Sequence, residues 1–158
     1  MLRWRVMGYT DQALQVLKAR GYRLTQPRRL VLDTLDHAAV PLSAYEIADR
    51  IREQGERGEV VSVYRILETL EENELIHRVL ASGKFTKCQL APEAECQRHQ
   101  KQHCHHSLVC RGCGRTEEFH CPGVELIEQV VVAHSDFVIE RHALEFTGLC
   151  GSCQLKAS

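Results

Sequence analysis

The chain has 158 residues, of which 44% are hydrophobic and 26% are charged, and its formal net charge is −1. These values suit one or two small folded domains and exclude an intrinsically disordered chain. Because no apolar run approaches the roughly 20 residues that cross a bilayer and no signal peptide is recognisable, we expect a cytoplasmic protein without a membrane partner. Eight Cys and nine His in a reducing compartment indicate metal ligands rather than disulfides.

Basic residues and metal-binding residue types lie in different parts of the chain. All of the cysteines lie from Cys88 onward. The first 30 residues hold Arg or Lys at seven positions against a single acid, Asp11. A basic edge of this kind favours binding to a polyanion, although the overall charge is close to zero.

Hydrophobic periodicity in the first half predicts four helices. The first lies around residues 13–17, and Thr25 is expected to cap the second, with Pro27 in its first turn. Ser43 and Glu46 have the spacing of a capping box and open the third helix.

The fourth predicted helix is capped by Ser62 and directs Val63 and Leu67 inward. Two strands follow, at about 76–80 and 85–90. Three compact helices closed by a hairpin predict a winged helix-turn-helix.

Several side chains of this half suit contact with DNA. Tyr64 and Arg65 are expected in the first turn of the fourth helix, where a recognition helix meets base edges. Arginine side chains nearby can hold phosphates. A helical bundle that binds another protein remains an alternative at this stage. The expected phosphate-binding residues are Arg23, Arg28 and Arg29.

The second half contains two CxxC pairs, which together have the ligand number of one closed tetrahedral Zn²⁺ site. A closed shell leaves no position for a reactive water, so this ion is expected to be structural. Between the pairs, residues 123–133 predict a helix and residues 137–146 an extended segment. The predicted ligands are Cys110, Cys113, Cys150 and Cys153.

These motifs resemble the ferric uptake regulator family, from about residue 10 to residue 153. The run Arg23–Arg28 is similar to the first motif of its DNA-binding domain, and Ser62–Arg65 to its recognition-helix motif. The His-rich run before Cys110 and the last CxxC pair complete the pattern. The resemblance implies an α+β fold, with a winged-helix DNA-binding domain at residues 1–90. A hinge at 91–104 and a small α/β metal-binding dimerisation domain with a four-cysteine zinc site at 105–158 would follow.

Within the family, the sequence is most similar to the zinc uptake regulator branch. The resemblance implies a regulatory zinc site, in which His105 is an alternative to His103, and places Tyr45 with the residues that contact DNA. A thiolate, two imidazoles and a carboxylate suit Zn²⁺ better than iron. The implied regulatory ligands are His77, Cys88, His103 and Glu118.

Carried over by position, a third metal site of the family falls within the dimerisation domain, with a cysteine where a histidine is usual. Four further candidate ligands, Cys96, His99, His120 and Cys121, match no family position. The third site would draw on Cys104, His106, Glu125 and His142, with His105 as a further candidate.

The function implied is that of a zinc-responsive homodimeric repressor, which binds AT-rich palindromic operator DNA when zinc is plentiful and represses zinc uptake genes. Two alternatives are an iron- or peroxide-responsive repressor of the same family and a zinc storage or chaperone protein. An enzyme with a small-molecule substrate is not expected, because the sequence lacks HExxH and the HxE…PCxxC pattern of zinc deaminases.

Overall fold

The computed structural model describes residues 7–89, 106–119, 123–139 and 142–157. The chain divides into two compact units, Met1–Cys88 and Gln89–Ser158. The predicted hinge at 91–104 lies outside the described residues. None of the helices within the described ranges is long and apolar enough to cross a membrane.

The first unit is built on four helices that bury one apolar face each. Leu17, Leu32, Ile47 and Leu67 are fully buried at its centre. The helices are α1 (Tyr9–Ala19), α2 (Gln26–Asp36), α3 (Ala44–Glu53) and α4 (Val60–Glu72).

Local sequence explains how α2 and α3 begin. Thr25 occupies the N-cap position of α2 without a side-chain capping bond, and Pro27 lies in the first turn. The capping box of α3 is confirmed, since the Glu46 amide donates to Ser43 Oγ at 3.2 Å and the Ser43 amide donates to Glu46 Oε2 at 2.6 Å. Two otherwise unsatisfied amides are thereby paired.

The predicted start of α4 is wrong. The helix begins at Val60, with Glu59 rather than Ser62 as N-cap. The cause is tertiary, because Gly58 packs against α3 so closely that a Cβ there would lie 2.2 Å from the carbonyl oxygen of Ala48. Tyr64 and Arg65 therefore lie one turn further into the helix than predicted.

A short hairpin closes the first unit. Strands β1 (Ile76–Arg78) and β2 (Phe85–Lys87) pair antiparallel and are shorter than predicted. Phe85 also exchanges two backbone hydrogen bonds with Leu42, which joins the hairpin to the segment before α3. Helices and hairpin form the predicted winged helix-turn-helix.

The second unit contains a three-stranded sheet in the order β4-β3-β5 and two helices. The central strand pairs antiparallel with β4 and parallel with β5. The elements are β3 (His106–Cys110), β4 (Thr116–Phe119), α5 (Val124–Ala133), β5 (Glu145–Gly148) and α6 (Gly151–Ala157).

The sequence-based assignment of this unit is partly correct. The helix predicted at 123–133 is confirmed as α5. Among the described residues of the extended segment predicted at 137–146, only Glu145 and Phe146 belong to a strand, because the pairing with β3 begins there. Strands β3 and β4 and helix α6 carry no periodic hydrophobic pattern from which they could be predicted.

Candidate metal centres and nucleic-acid interface

Four cysteine thiols of the second unit form one cluster. Their Sγ atoms all lie within 4.8 Å of one another, and Cys113 Sγ lies 3.8 Å from Cys150 Sγ. Tetrahedral Zn–S bonds of about 2.3 Å place two sulfurs about 3.8 Å apart, so the donor type and spacing fit Zn²⁺. The cluster contains Cys110, Cys113, Cys150 and Cys153.

The sheet brings these cysteines together. Cys110 is the last residue of β3, and Cys150 lies just after β5, the parallel neighbour of β3. The two CxxC pairs therefore meet at the carboxyl ends of these two strands. The Gly114 amide donates to the carbonyl oxygen of Cys110 at 2.8 Å and closes the first turn. Gly114 has a φ of 74°, a conformation that glycine adopts without strain.

The thiols of the cluster differ in acidity. The backbone amide of Cys150 donates to Cys110 Sγ at 3.2 Å and is the main reason that the pKa of Cys110 falls to about 6. The Cys150 thiol, followed by those of Cys110 and Cys113, raises the pKa of Cys153 to about 12. Four neighbouring thiolates repel one another, and a bound divalent cation is the charge that would let all four ionise.

His77 and Cys88 lie together in the first unit. His77 is in the middle of β1 and Cys88 directly follows β2, and their ligand atoms are within 4.8 Å of each other. The Cys88 amide donates to the carbonyl oxygen of Leu75 at 3.0 Å, and Tyr9 Oη donates to the same oxygen at 2.6 Å. The hairpin thus presents a thiol and an imidazole as a pair.

Glu118, the carboxylate of the predicted regulatory set, belongs to the second unit. It lies in β4, is half-buried, and its Oε2 accepts a hydrogen bond from the Gln89 amide at 2.9 Å. His103 and His105 lie outside the described residues.

A second histidine pair lies inside the second unit. His106 is fully buried in β3 and stacks on His142, with ring centroids 5.3 Å apart. His142 Nδ1 contacts the carboxylate of Glu128 on α5. The carboxylate predicted for the third metal site is Glu125, and Glu128 lies almost one helical turn further along the same helix. The described part of the chain does not include Cys104, the side chain of Glu125, or the unassigned Cys96, His99, His120 and Cys121.

The aromatic residues predicted to contact DNA form one exposed surface on the helix-turn-helix. Tyr45, in the first turn of α3, and Tyr64, in α4, meet edge to face with ring centroids 6.3 Å apart. Their exposures of 62% and 42% are high for large aromatic side chains. Arg65 is exposed beside Tyr64 on the same helix.

The three arginines predicted to hold phosphates have different surroundings. Arg23 is exposed. Arg28 is half-buried, with its guanidinium on the ring of Tyr22 and in contact with the carbonyl oxygen of Arg23. Arg29 pairs with Asp11 at 3.2 Å, in an ion pair open to solvent.

The ferric uptake regulator family model matches residues 19–147, which is most of the chain. The chain belongs to the ferric uptake regulator family. It is therefore a metal-responsive transcriptional regulator, and the predicted fold class and family are confirmed. Members of the ferric uptake regulator family are regulators of transcription rather than enzymes.

Curated family members include proteins named for different metals. The zinc uptake regulation protein of Escherichia coli K12 is 30% identical over 142 residues, which cover 90% of this chain and 79% of that protein. The ferric uptake regulation protein of Legionella pneumophila is 33% identical over 141 residues, covering 89% and 97%. Sequence identity alone thus does not separate the zinc and iron branches.

Among solved structures of the family, a zinc uptake regulator complexed with zinc and DNA is similar to this chain, with a TM-score of 0.80 at 29% identity. The match covers 94% of this chain and 95% of that chain.

Proposed function

We propose that this protein is a cytoplasmic, zinc-responsive repressor of transcription that binds AT-rich palindromic operators as a dimer and represses zinc uptake genes. The observation that carries this proposal is the pairing of the Cys88 thiol with the His77 imidazole in the wing hairpin. A thiolate is a soft ligand that selects zinc over the oxygen-preferring metals. The similarity to a zinc uptake regulator complexed with zinc and DNA also supports the proposal.

The regulatory site in this proposal consists of His77, Cys88, His103 and Glu118, one thiolate, two imidazoles and one carboxylate. His77 and Cys88 come from the DNA-binding unit, whereas His103 and Glu118 come from the second unit. Such a donor set is one that a four-coordinate Zn²⁺ accepts. We expect the metal-bound dimer to favour the spacing between its two recognition helices that fits successive half-sites of the operator.

Two further ions are part of the proposal. The four-cysteine cluster holds a structural Zn²⁺ that joins the two CxxC pairs. The third site draws on Cys104, His106 and His142, with His105 as a further candidate, and on a carboxylate of α5, for which Glu128 is a candidate besides Glu125.

DNA recognition falls to the exposed surface of α3 and α4. Arg65 reads a purine edge, while Tyr45 and Tyr64 contact thymine methyl groups or the adjoining backbone. Arg23, Arg28 and Arg29 hold phosphates.

An iron- or peroxide-responsive repressor of the same family is the second candidate, favoured by the 33% identity to a ferric uptake regulation protein. A zinc store is not favoured by any feature of the helix-turn-helix, since storage needs no exposed Tyr64 or Arg65. Operator binding titrated with Zn²⁺ and, separately, Fe²⁺ distinguishes the two regulators. Operator affinity that responds to Fe²⁺ and not to Zn²⁺ would exclude the zinc proposal.

The two kinds of cysteine site can be separated by substitution. We expect Cys88→Ser to leave a folded dimer whose operator affinity no longer rises with zinc. Cys113→Ser is expected to unfold or monomerise the second unit, because the four-cysteine site loses a ligand. Gel shifts with and without chelator, together with sedimentation, measure both effects.

Cys96→Ser is the matched control, because no metal site is assigned to that cysteine, and it should behave as the unmodified protein. Elemental analysis should give two or three zinc ions per chain. Normal zinc-dependent operator binding by Cys88→Ser would refute the regulatory role of Cys88.

A further inference from the structure

The first turn of α4 exposes an apolar side chain that is not one of the predicted DNA-binding residues. Val61 is 66% exposed, although its neighbours Val60 and Val63 turn toward the core. Because α4 begins at Val60, Val61 lies in the first turn, and Arg65 lies one turn further along the same face. The residues predicted to contact DNA do not include Val61, because the helix was predicted to begin after Ser62.

In a helix-turn-helix, the N-terminal residues of the recognition helix are those that contact base edges in the major groove. The only apolar group that a base pair offers there is the C5-methyl group of thymine. A β-branched side chain is stiff and loses little conformational entropy when it makes such a contact. An exposed valine at this position therefore matches a thymine methyl group better than a phosphate or a polar base edge.

We infer that Val61 is a specificity-determining residue that recognises a thymine through its C5-methyl group, one or two base pairs from the base that Arg65 reads. The spacing follows from the helix and the DNA. Side chains one helical turn apart have Cβ atoms about 5–6 Å apart, and successive base pairs of one strand are about 3.4 Å apart. This inference rests on the proposed DNA-binding function and names the chemistry of one contact within it.

The first step of the test selects operator sequences from a randomised duplex pool with the zinc-loaded protein. Failure to enrich any sequence in a zinc-dependent way would count against the proposed function itself. In the selected half-site, each thymine is then replaced in turn by deoxyuridine, which lacks only the methyl group. We expect one replacement, one or two base pairs from the position that loses selectivity in Arg65→Ala, to weaken binding about fourfold, the effect of one buried methyl group.

The second step combines this replacement with Val61→Ala. Alanine is a good helix former and Val61 is exposed, so the variant should fold normally. Val61→Ala should weaken binding to the thymine operator about fourfold and should bind the uracil operator no worse than the unmodified protein does. Val40→Ala, which shortens another exposed valine of the same unit, is the control and should leave both affinities unchanged.

Equal losses on the thymine and uracil operators would show that Val61 acts without contacting the methyl group and would overturn the inference. Insensitivity of every thymine position to loss of its methyl group would overturn it as well. Both results leave the zinc dependence of operator binding intact, so they are distinguishable from failure of the proposed function.

Discussion

Gly112 lies where the two cysteine pairs of the four-cysteine cluster meet. A Cβ atom on this residue would lie 3.0 Å from Cys153 Sγ and 3.2 Å from Leu149 Cδ2. The sulfur has little room to retreat when it binds a metal ion, because the ion shared with the other three thiolates fixes its place. Gly151 belongs to the second CxxC pair, and a Cβ atom there meets nothing within 4 Å.

Gly112→Ala should therefore loosen the metal site, whereas Gly151→Ala should not. Overpacking costs about 1–3 kcal/mol, which corresponds to a loss of zinc affinity between about fivefold and about 150-fold. Competition with a coloured zinc chelator measures the difference. If the two alanine variants release zinc at equal chelator concentrations, the close packing of Gly112 is irrelevant to the site.

Two exposed arginines of the DNA-binding unit are expected to make different kinds of contact with DNA. Arg65→Ala should cost about 1–3 kcal/mol on the operator and relax its sequence preference, because a base contact is lost. Arg23→Ala should weaken operator and scrambled duplex alike and reduce the salt slope by about one, because a phosphate contact is lost. Titrations of both duplexes at several salt concentrations test this assignment, and equal losses on the two duplexes for both variants contradict it.

Arg23 is a better probe of phosphate binding than Arg28. The Arg28 guanidinium packs on Tyr22 and contacts a backbone carbonyl, so its removal also disturbs the start of α2.

At the level of elements, the hairpin is tied to the start of α3 through Glu46. Its Oε2 accepts from the Ser43 amide, and its Oε1 pairs with Lys84 Nζ of the hairpin turn at 2.8 Å. Lys84 and, next, the Ser43 amide lower the pKa of Glu46 to about 2. Both side chains are partly exposed, so solvent screens the ion pair and its contribution to stability is modest.

This pKa predicts a pH-dependent difference between the unmodified protein and Glu46→Gln. Folding lowers the pKa from 4.5 to about 2, so the stabilisation is complete above about pH 4.5 and is lost as the pH falls through about 2. Chemical denaturation of both proteins across this range should show their difference in unfolding free energy shrinking as acid is added. Lys84→Met should reduce the same difference while keeping the capping box, and a pH-independent difference would contradict this role.

The elements that could be predicted from the sequence are those whose bounds are set by residues close together in the chain. The capping box of Ser43 and Glu46 spans four residues and forms as expected. The start of α4 depends instead on the approach of Gly58 to Ala48 of another helix, which no local pattern encodes.

In the second unit, β3 and β5 pair only after a long intervening segment, and β4 has the polar sequence Thr-Glu-Glu-Phe. Short, polar or half-buried strands carry little periodic signal. The grouping of the four cysteines was predictable, because CxxC spacing brings thiols together in the way that a tetrahedral metal site requires. The contact of Glu128 with His142 was not predictable, because it joins a helix to a distant loop.

At the scale of the whole molecule, α5 exposes apolar side chains that none of the residues in the described ranges covers. Ile127, Val130 and Val131 are each about half exposed, and Leu126 and Val132 are exposed as well. Apolar surface of this extent is typical of an interface. It supports the homodimer of the proposed function, in which a second copy of the chain covers the helix.

Val130→Asp should convert the dimer to a monomer, because the interface would bury an unpaired carboxylate at a cost of several kcal/mol. Affinity for a palindromic operator should fall with it, since the two half-sites are then bound independently. Sedimentation measures the mass. Gln129→Asp, at an exposed polar position of the same helix, should remain a dimer, and a dimeric Val130→Asp would place the interface elsewhere.

The carbonyl oxygen of Leu75 accepts hydrogen bonds from both Tyr9 Oη and the Cys88 amide. The Cys88 amide hydrogen can exchange with solvent only when that bond opens, so its exchange rate measures the free energy of local opening at this edge of the hairpin. Tyr9→Phe removes the other donor to the same oxygen without touching Cys88. Hydrogen exchange at one amide thus reports how firmly the backbone holds the Cys88 thiol in place, independently of DNA.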